Sequence, residues 1–194
     1  MGQTNRSTPA FLMALVALWA PPARCADAPA ADATAAPTVG DFSFIDEIRG
    51  GVFSNVLDLS SESGSGEVLS SHLLFYSGSN PYLAAFLNPR LELGAMVNFE
   101  GRTSYAYTGV NFHVPIYDRL FFEGEFGGAL NDSEKGRPGW LGCPVTFRES
   151  GGLGLQITSN IDIVGSIEHV SHADLCGREN PGLTNFGLRL GYKF

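Results

Sequence analysis

His169 and Ser171 stand two residues apart near the C-terminus. In an extended strand, positions i and i+2 project to one side, so an imidazole and a hydroxyl come within reach of each other. A serine hydroxyl becomes a nucleophile when a neighbouring base takes its proton. The competing reading is an inert polar pair in a lipid headgroup zone. The face that carries them reads Ile161, Ile163, Gly165, Ile167, His169, Ser171. The opposite face reads Asp162, Val164, Ser166, Glu168, Val170, His172. One side of this segment is thus apolar until its last two positions.

The preceding segment adds an acid. Val145, Phe147, Glu149, Gly151, Leu153, Leu155 and Ile157 alternate with Thr146, Arg148, Ser150, Gly152, Gly154 and Gln156. Glu149 interrupts the apolar face, and an ionisable group turned toward lipid reads as functional by default. A hairpin turning at Thr158-Ser159-Asn160 pairs Ile157 with Ile161, Leu155 with Ile163, Leu153 with Gly165 and Gly151 with Ile167. Apolar faces match throughout, as strand register demands. Two further steps set Glu149 opposite His169 and Phe147 opposite Ser171. The reading is then Ser171 as nucleophile, His169 as base and Glu149 as orienting acid. Slips by two residues keep the faces matched as well, and a purely structural Glu149 is the alternative.

These residues need strands to hold them. From about residue 44 the sequence has no helical period. Aromatic and β-branched runs alternate with Gly, Pro, Asn, Asp and Ser clusters. Eight strands are predicted, at 44–57, 66–77, 89–99, 103–114, 119–130, 142–157, 161–172 and 184–194. Most reach the ~9–11 residues that cross a bilayer as a tilted strand, and an even count suits a closed bacterial barrel. In the last strand Phe186, Leu188, Leu190, Tyr192 and Phe194 share one face, against Asn185, Gly187, Arg189, Gly191 and Lys193. A soluble barrel would hide the apolar face. Here Arg, Lys and glycines suit a narrow polar lumen, which puts the apolar face on lipid. The fold class expected is an all-β, eight-stranded antiparallel transmembrane β-barrel over residues 44–194. Eight strands leave an interior filled by side chains, which disfavours a diffusion pore. The connection at 78–88 falls on the periplasmic side, and its Tyr82–Leu87 run reads as a short interfacial helix.

Composition agrees. Of 194 residues only 16 % are charged, 24 are glycine and 11 % are aromatic. The net charge of −8 argues against a nucleic-acid partner held by a basic surface. Residues 1–25 read as a signal peptide: Arg6, an apolar stretch Phe11–Ala20, Pro21-Pro22, then a small-x-small site at Ala23-Arg24-Cys25. A retained N-terminal anchor is the alternative. Residues 26–43 are Ala-, Pro- and Asp-rich and read as a flexible segment. Two cysteines remain, Cys143 and Cys176. In an exported chain that count suggests one disulfide, and the hairpin register sets Cys143 opposite Leu175, next to Cys176. Two free thiols are the alternative. No metal-ligand spacing or phosphate-binding glycine loop is present, so no cofactor or metal is expected.

The stretch from Glu168 to Phe194, with His169-x-Ser171-His172-Ala173, Asn180-Pro181-Gly182 and an aromatic terminus, resembles the C-terminal end of the lipid A 3-O-deacylase (PagL-type) family. The resemblance implies an outer-membrane serine esterase that removes the acyl chain ester-linked at position 3 of lipid A. It implies lipid A of the outer leaflet as substrate, and the ending at Phe194, with Tyr192 two residues before, resembles the C-terminal signal read by the outer-membrane insertion machinery. It leaves a homodimer open. The family His and Ser fall on His169 and Ser171. The family Asn that follows the Ser, an oxyanion donor, is His172 here. The family acid lies near the start of the last strand, where this chain has Leu183, Thr184 and Asn185. Glu149 then supplies the acid from the neighbouring strand, with Glu179 a weaker candidate and a Ser-His dyad the remaining option. A calcium-dependent phospholipase and a structural or adhesive small barrel are the rival functions.

Overall fold

The computed structural model describes residues 44–56, 62–70 and 75–194. The signal peptide and flexible segment expected over 1–43 lie outside the described residues, apart from the opening of the barrel region at 44. The elements run β1 (Glu47–Asn55), β2 (Glu62–Ser70), α1 (Pro81–Leu87), β3 (Arg90–Asn98), β4 (Tyr105–Tyr117), β5 (Leu120–Asn131), β6 (Val145–Gln156), β7 (Ile161–Ser171) and β8 (Leu183–Lys193). Each strand pairs antiparallel with the next and β8 returns to β1, which closes the barrel. Among the described residues no helix is long and apolar enough to cross a membrane. The eight expected strands are all present.

Alternation sorts every strand into a wall face and a lumen face. On β8, Asn185 and Arg189 are buried while Phe186, Leu188, Leu190 and Tyr192 point out. The lumen is a network of charge. Arg148 donates to Glu125 at 2.8 Å, Glu92 at 3.1 Å and Glu168 at 3.2 Å. Arg189 reaches Glu125 at 2.7 Å and Glu67 at 3.0 Å. Arg49 and Arg90 each meet Glu123 at 2.6 Å. Tyr107 donates to Glu67, Tyr105 to Glu168, and the Arg148 guanidinium lies 3.8 Å from the Tyr107 ring centre. Inward glycines make room for these bulky groups: a Cβ on Gly94 would lie 2.5 Å from the Tyr107 ring. A lumen packed this way encloses no aqueous channel.

The second strand corrects the sequence reading. It spans 62–70 rather than 66–77. The segment Glu62-Ser-Gly-Ser-Gly66 has the composition of a loop, since glycine and serine are poor strand formers. It pairs with β1 from Ser54–Glu62 onward because Ser63, Glu67 and Leu69 turn into the crowded polar lumen. Phe75 and Tyr76 were expected in that strand. Their backbone N–H groups instead donate to the Asn88 side chain in the β2–β3 connection. The helix expected in that connection is α1.

Candidate active site

The β6–β7 hairpin turns where the sequence requires. Ile157 N–H donates to Ile161 C=O at 2.8 Å, and Thr158 Oγ1 accepts from the N–H groups of Asn160 and Ile161. From that turn the register runs Leu155–Ile163, Leu153–Gly165, Gly151–Ile167, Glu149–His169 and Phe147–Ser171. This is the expected pairing, position for position. At the outer end Cys143 and Cys176 form a disulfide. It ties the β5–β6 loop to the loop that follows Ser171.

His169 and Ser171 are half-buried on the outer wall, and Glu149 is exposed beside them. The structure sets Glu149 next to His169 but does not bond them. Among the described residues the Glu149 carboxylate has no hydrogen-bond partner. His169 Nδ1 instead lies 2.8 Å from Thr184 Oγ1 on β8. Thr184 is the cross-strand neighbour of His169 on the other side. One wall row therefore reads Phe126, Glu149, His169, Thr184 across β5, β6, β7 and β8. Sequence reasoning weighed carboxylates and passed over this hydroxyl. The signal was available: matching Ile163 to Leu190, Gly165 to Leu188 and Ile167 to Phe186 brings His169 to Thr184 at the next step.

Gly182 closes the ring in. Its φ is +66°, a left-handed conformation that favours glycine. A Cβ there would lie 2.7 Å from His169 Cε1 and 3.1 Å from Nε2. Gly182 thus lies against the imidazole, where a side chain would collide with it. Nδ1 is held by Thr184, and among the described residues Nε2 has no hydrogen-bond partner. Nε2 is thus the ring nitrogen open to a further partner. No hydrogen bond joins His169 and Ser171, and catalytic hydrogen bonds commonly tighten only when substrate binds.

His172 goes elsewhere. Its side chain faces the lumen side, as alternation predicts, and is fully buried. Its Nε2 lies 3.0 Å from the Glu179 carbonyl, and Nδ1 is approached by the Cys176 N–H at 3.4 Å. Its backbone N–H donates to Asn180 Oδ1 at 3.1 Å. Both ring nitrogens are used in folding the loop, so the oxyanion role expected for this side chain does not fit its geometry. Glu179 meets His172 through its backbone, and the exposed side chain is not turned into an acid for His169. After His172 the backbone turns left-handed at Ala173 (φ +47°) and Asp174 (φ +64°). Their N–H groups have no partner among the described residues. Strained backbone of this kind costs on the order of 1–3 kcal/mol per residue and clusters at functional sites.

Glu67, Glu92 and Glu125 bring carboxylate oxygens within 4.8 Å of one another in the lumen. All three are ion-paired with Arg148 or Arg189 and belong to the network described above.

A family model described as lipid A 3-O-deacylase (PagL) matches residues 84–193. No curated protein sequence matches. Among solved structures, the crystal structure of the outer membrane enzyme PagL is similar at a TM-score of 0.62 and 13 % identity, covering 76 % of this chain and 99 % of that one. A structure from the de novo design of transmembrane β-barrels is similar at a TM-score of 0.51 and 12 % identity, covering 78 % of this chain and 96 % of that one. At such identities the structural likeness speaks for the fold, and the family match stands on residues 84–193.

Proposed function

The chain belongs to the lipid A 3-O-deacylase (PagL) family of the bacterial outer membrane, and from that premise we propose that Ser171, His169 and Thr184 hydrolyse the ester at position 3 of lipid A. The observation that carries the assignment is the His169 ring, fixed by Thr184 at Nδ1 and fitted against Gly182. A base must hold its orientation and tautomer while a proton crosses. Nδ1–H donating to Thr184 Oγ1 does this and leaves a lone pair on Nε2.

Ser171 Oγ attacks the acyl carbonyl carbon while His169 Nε2 takes its proton. The N–H of Ala173, in the left-handed turn, has no acceptor among the described residues and donates to the developing oxyanion. Collapse of the tetrahedral intermediate breaks the ester C–O bond, and His169 returns the proton to the departing sugar oxygen. Water then attacks the acyl-serine with His169 again as base and releases a free fatty acid. The wall below the site, with Leu153, Ile167, Phe186 and Leu188 exposed, suits an acyl chain.

The test is expression in an outer membrane with mass spectra of lipid A. The chain is expected to remove one ester-linked acyl chain, and S171A and H169A are expected to leave lipid A intact while folding as the parent does. Unchanged lipid A from the well-folded parent overturns the assignment. Release of lysophospholipid in its place points to the phospholipase alternative.

A further inference from the structure

The β2–β3 connection lies at the end of the barrel opposite Ser171. Its residues 75–88 contain no charged side chain. Within it α1 folds back on the outside of the barrel, where Phe86 meets Phe112 with ring centres 6.2 Å apart. Phe112 is on the wall face of β4, in line with Val114, and Ile116 sits at the irregularity that follows. The helix buries Ala85 and leaves Tyr82, Leu83 and Phe86 exposed by 56 %, 47 % and 60 %. Phe75, Ile116 and Tyr117 are exposed as well.

The connection bonds parts of its own backbone with neutral side chains. Asn80 Oδ1 accepts from the N–H groups of Tyr82 and Leu83 at 3.0 and 3.2 Å. Pro81 has no N–H to satisfy. At the other end Asn88 N–H donates to Ala84 C=O at 2.8 Å. The Asn88 side chain accepts from Phe75 and Tyr76 N–H and donates to Tyr76 C=O at 2.7 Å. A neutral amide thus caps the N-terminus of α1, and a second one, Asn88, ties the end of the helix to the backbone of Phe75 and Tyr76. A segment placed at a membrane must satisfy its backbone internally.

We propose that α1 is a membrane-interface helix, docked with its Tyr82, Leu83 and Phe86 face on the phospholipid of the periplasmic leaflet. The occupant is lipid because the face adjoins the lipid-contacting wall of β4 through Phe86 and Phe112, lies in a stretch without charged side chains, and presents aromatic residues of the kind that membrane interfaces favour. The helix widens the apolar band on one side and fixes the depth of the barrel.

The experiment uses the full chain folded into phosphatidylcholine vesicles, with W19F and W140F removing both native indoles. F86W and L83W are each introduced into that background, and folding is checked by the heat-dependent shift in gel mobility. Lipids brominated near the headgroup end of the acyl chain are expected to quench both indoles about twofold or more, as for a helix buried about 5–10 Å into the interface. Acrylamide in the water is expected to quench them weakly. Strong acrylamide quenching with no effect of brominated lipid overturns the proposal. Shielding from both quenchers also overturns it, because a second protein copy then covers the face. Two indole positions guard against one that disturbs folding, and neither readout depends on esterase activity.

Discussion

Replacing Thr184 by valine keeps the shape of the side chain and removes the hydroxyl that meets His169 Nδ1 at 2.8 Å. A neutral hydrogen bond contributes about 0.5–1.5 kcal/mol net. If the whole of it acts on the reacting geometry, kcat/KM falls by about 2- to 13-fold, since about 1.36 kcal/mol is tenfold in rate. T184S keeps a hydroxyl at the same place and is expected to retain most of the activity. T184E puts a carboxylate beside His169 Nδ1. A charge-assisted bond is roughly twice as strong, so T184E is expected to match or exceed the parent. Glu149 is exposed and unbonded to His169, and its influence through space is screened by salt. Surface pairs contribute about 0.2–1 kcal/mol, so E149Q is expected to lose less than about fivefold, and less still at high salt. The assay is hydrolysis of a chromogenic acyl ester in detergent, with lipid A mass spectra as the check on the natural ester. Undiminished kcat/KM in T184V, or failure of T184S to preserve it, refutes the reasoning. Greater loss in E149Q than in T184V returns the orienting role to Glu149.

Three further outcomes follow from the same geometry. G182A forces a Cβ to within 2.7 Å of the imidazole at a left-handed φ; activity is expected to fall at least tenfold while the folded fraction, read by gel mobility, stays near that of the parent. The Cys143–Cys176 bridge closes a separation of 33 residues; by chain entropy its removal in C143S/C176S costs about 3–4 kcal/mol, measured by urea unfolding, with activity falling as the loop carrying Asn180 and Gly182 loosens. R148M leaves Glu92, Glu125 and Glu168 without a shared cation, and loss of one partner from a buried ion network costs about 3–5 kcal/mol, so folding yield in detergent is expected to drop while the ester site, on the other side of the wall, is left in place.

The site hairpin was legible because a lipid wall makes alternation strict. Each slip of one residue would carry Ile163, Leu153 and Leu155 into a charged lumen, so polarity fixed which faces match, and the turn at Thr158-Ser159-Asn160 chose among the two-residue slips. The same rule failed at β2, where Ser63, Gly64 and Ser65 carry almost no apolar signal on either face. Its edges are set by partners distant in sequence, chiefly Arg189 and Tyr107 on Glu67. His172 was assigned to the lumen side by alternation, but its bonds to Glu179 and Cys176 depend on a loop whose path no periodicity encodes.

The orienting group shows how chemistry can mislead where spacing does not. A base next to a serine invites a search for an acid, and Glu149 is one position away across β6. The barrel is closed, however, so His169 has neighbours on both sides, and β8 approaches it as closely as β6 does. Thr184 donates no negative charge and so is invisible to a search by charge. It stands out only when each polar residue on the wall face near His169 is treated as an exception in need of a reason. By that criterion Glu149, His169, Ser171 and Thr184 form one connected group at the outer end of the barrel. Three of them are joined by the proposed proton path. Glu149 stands beside it as a carboxylate without a bond, placed to attract a positive group of an incoming substrate or to favour the imidazolium through space. The salt dependence of E149Q separates a screened charge from a bonded one.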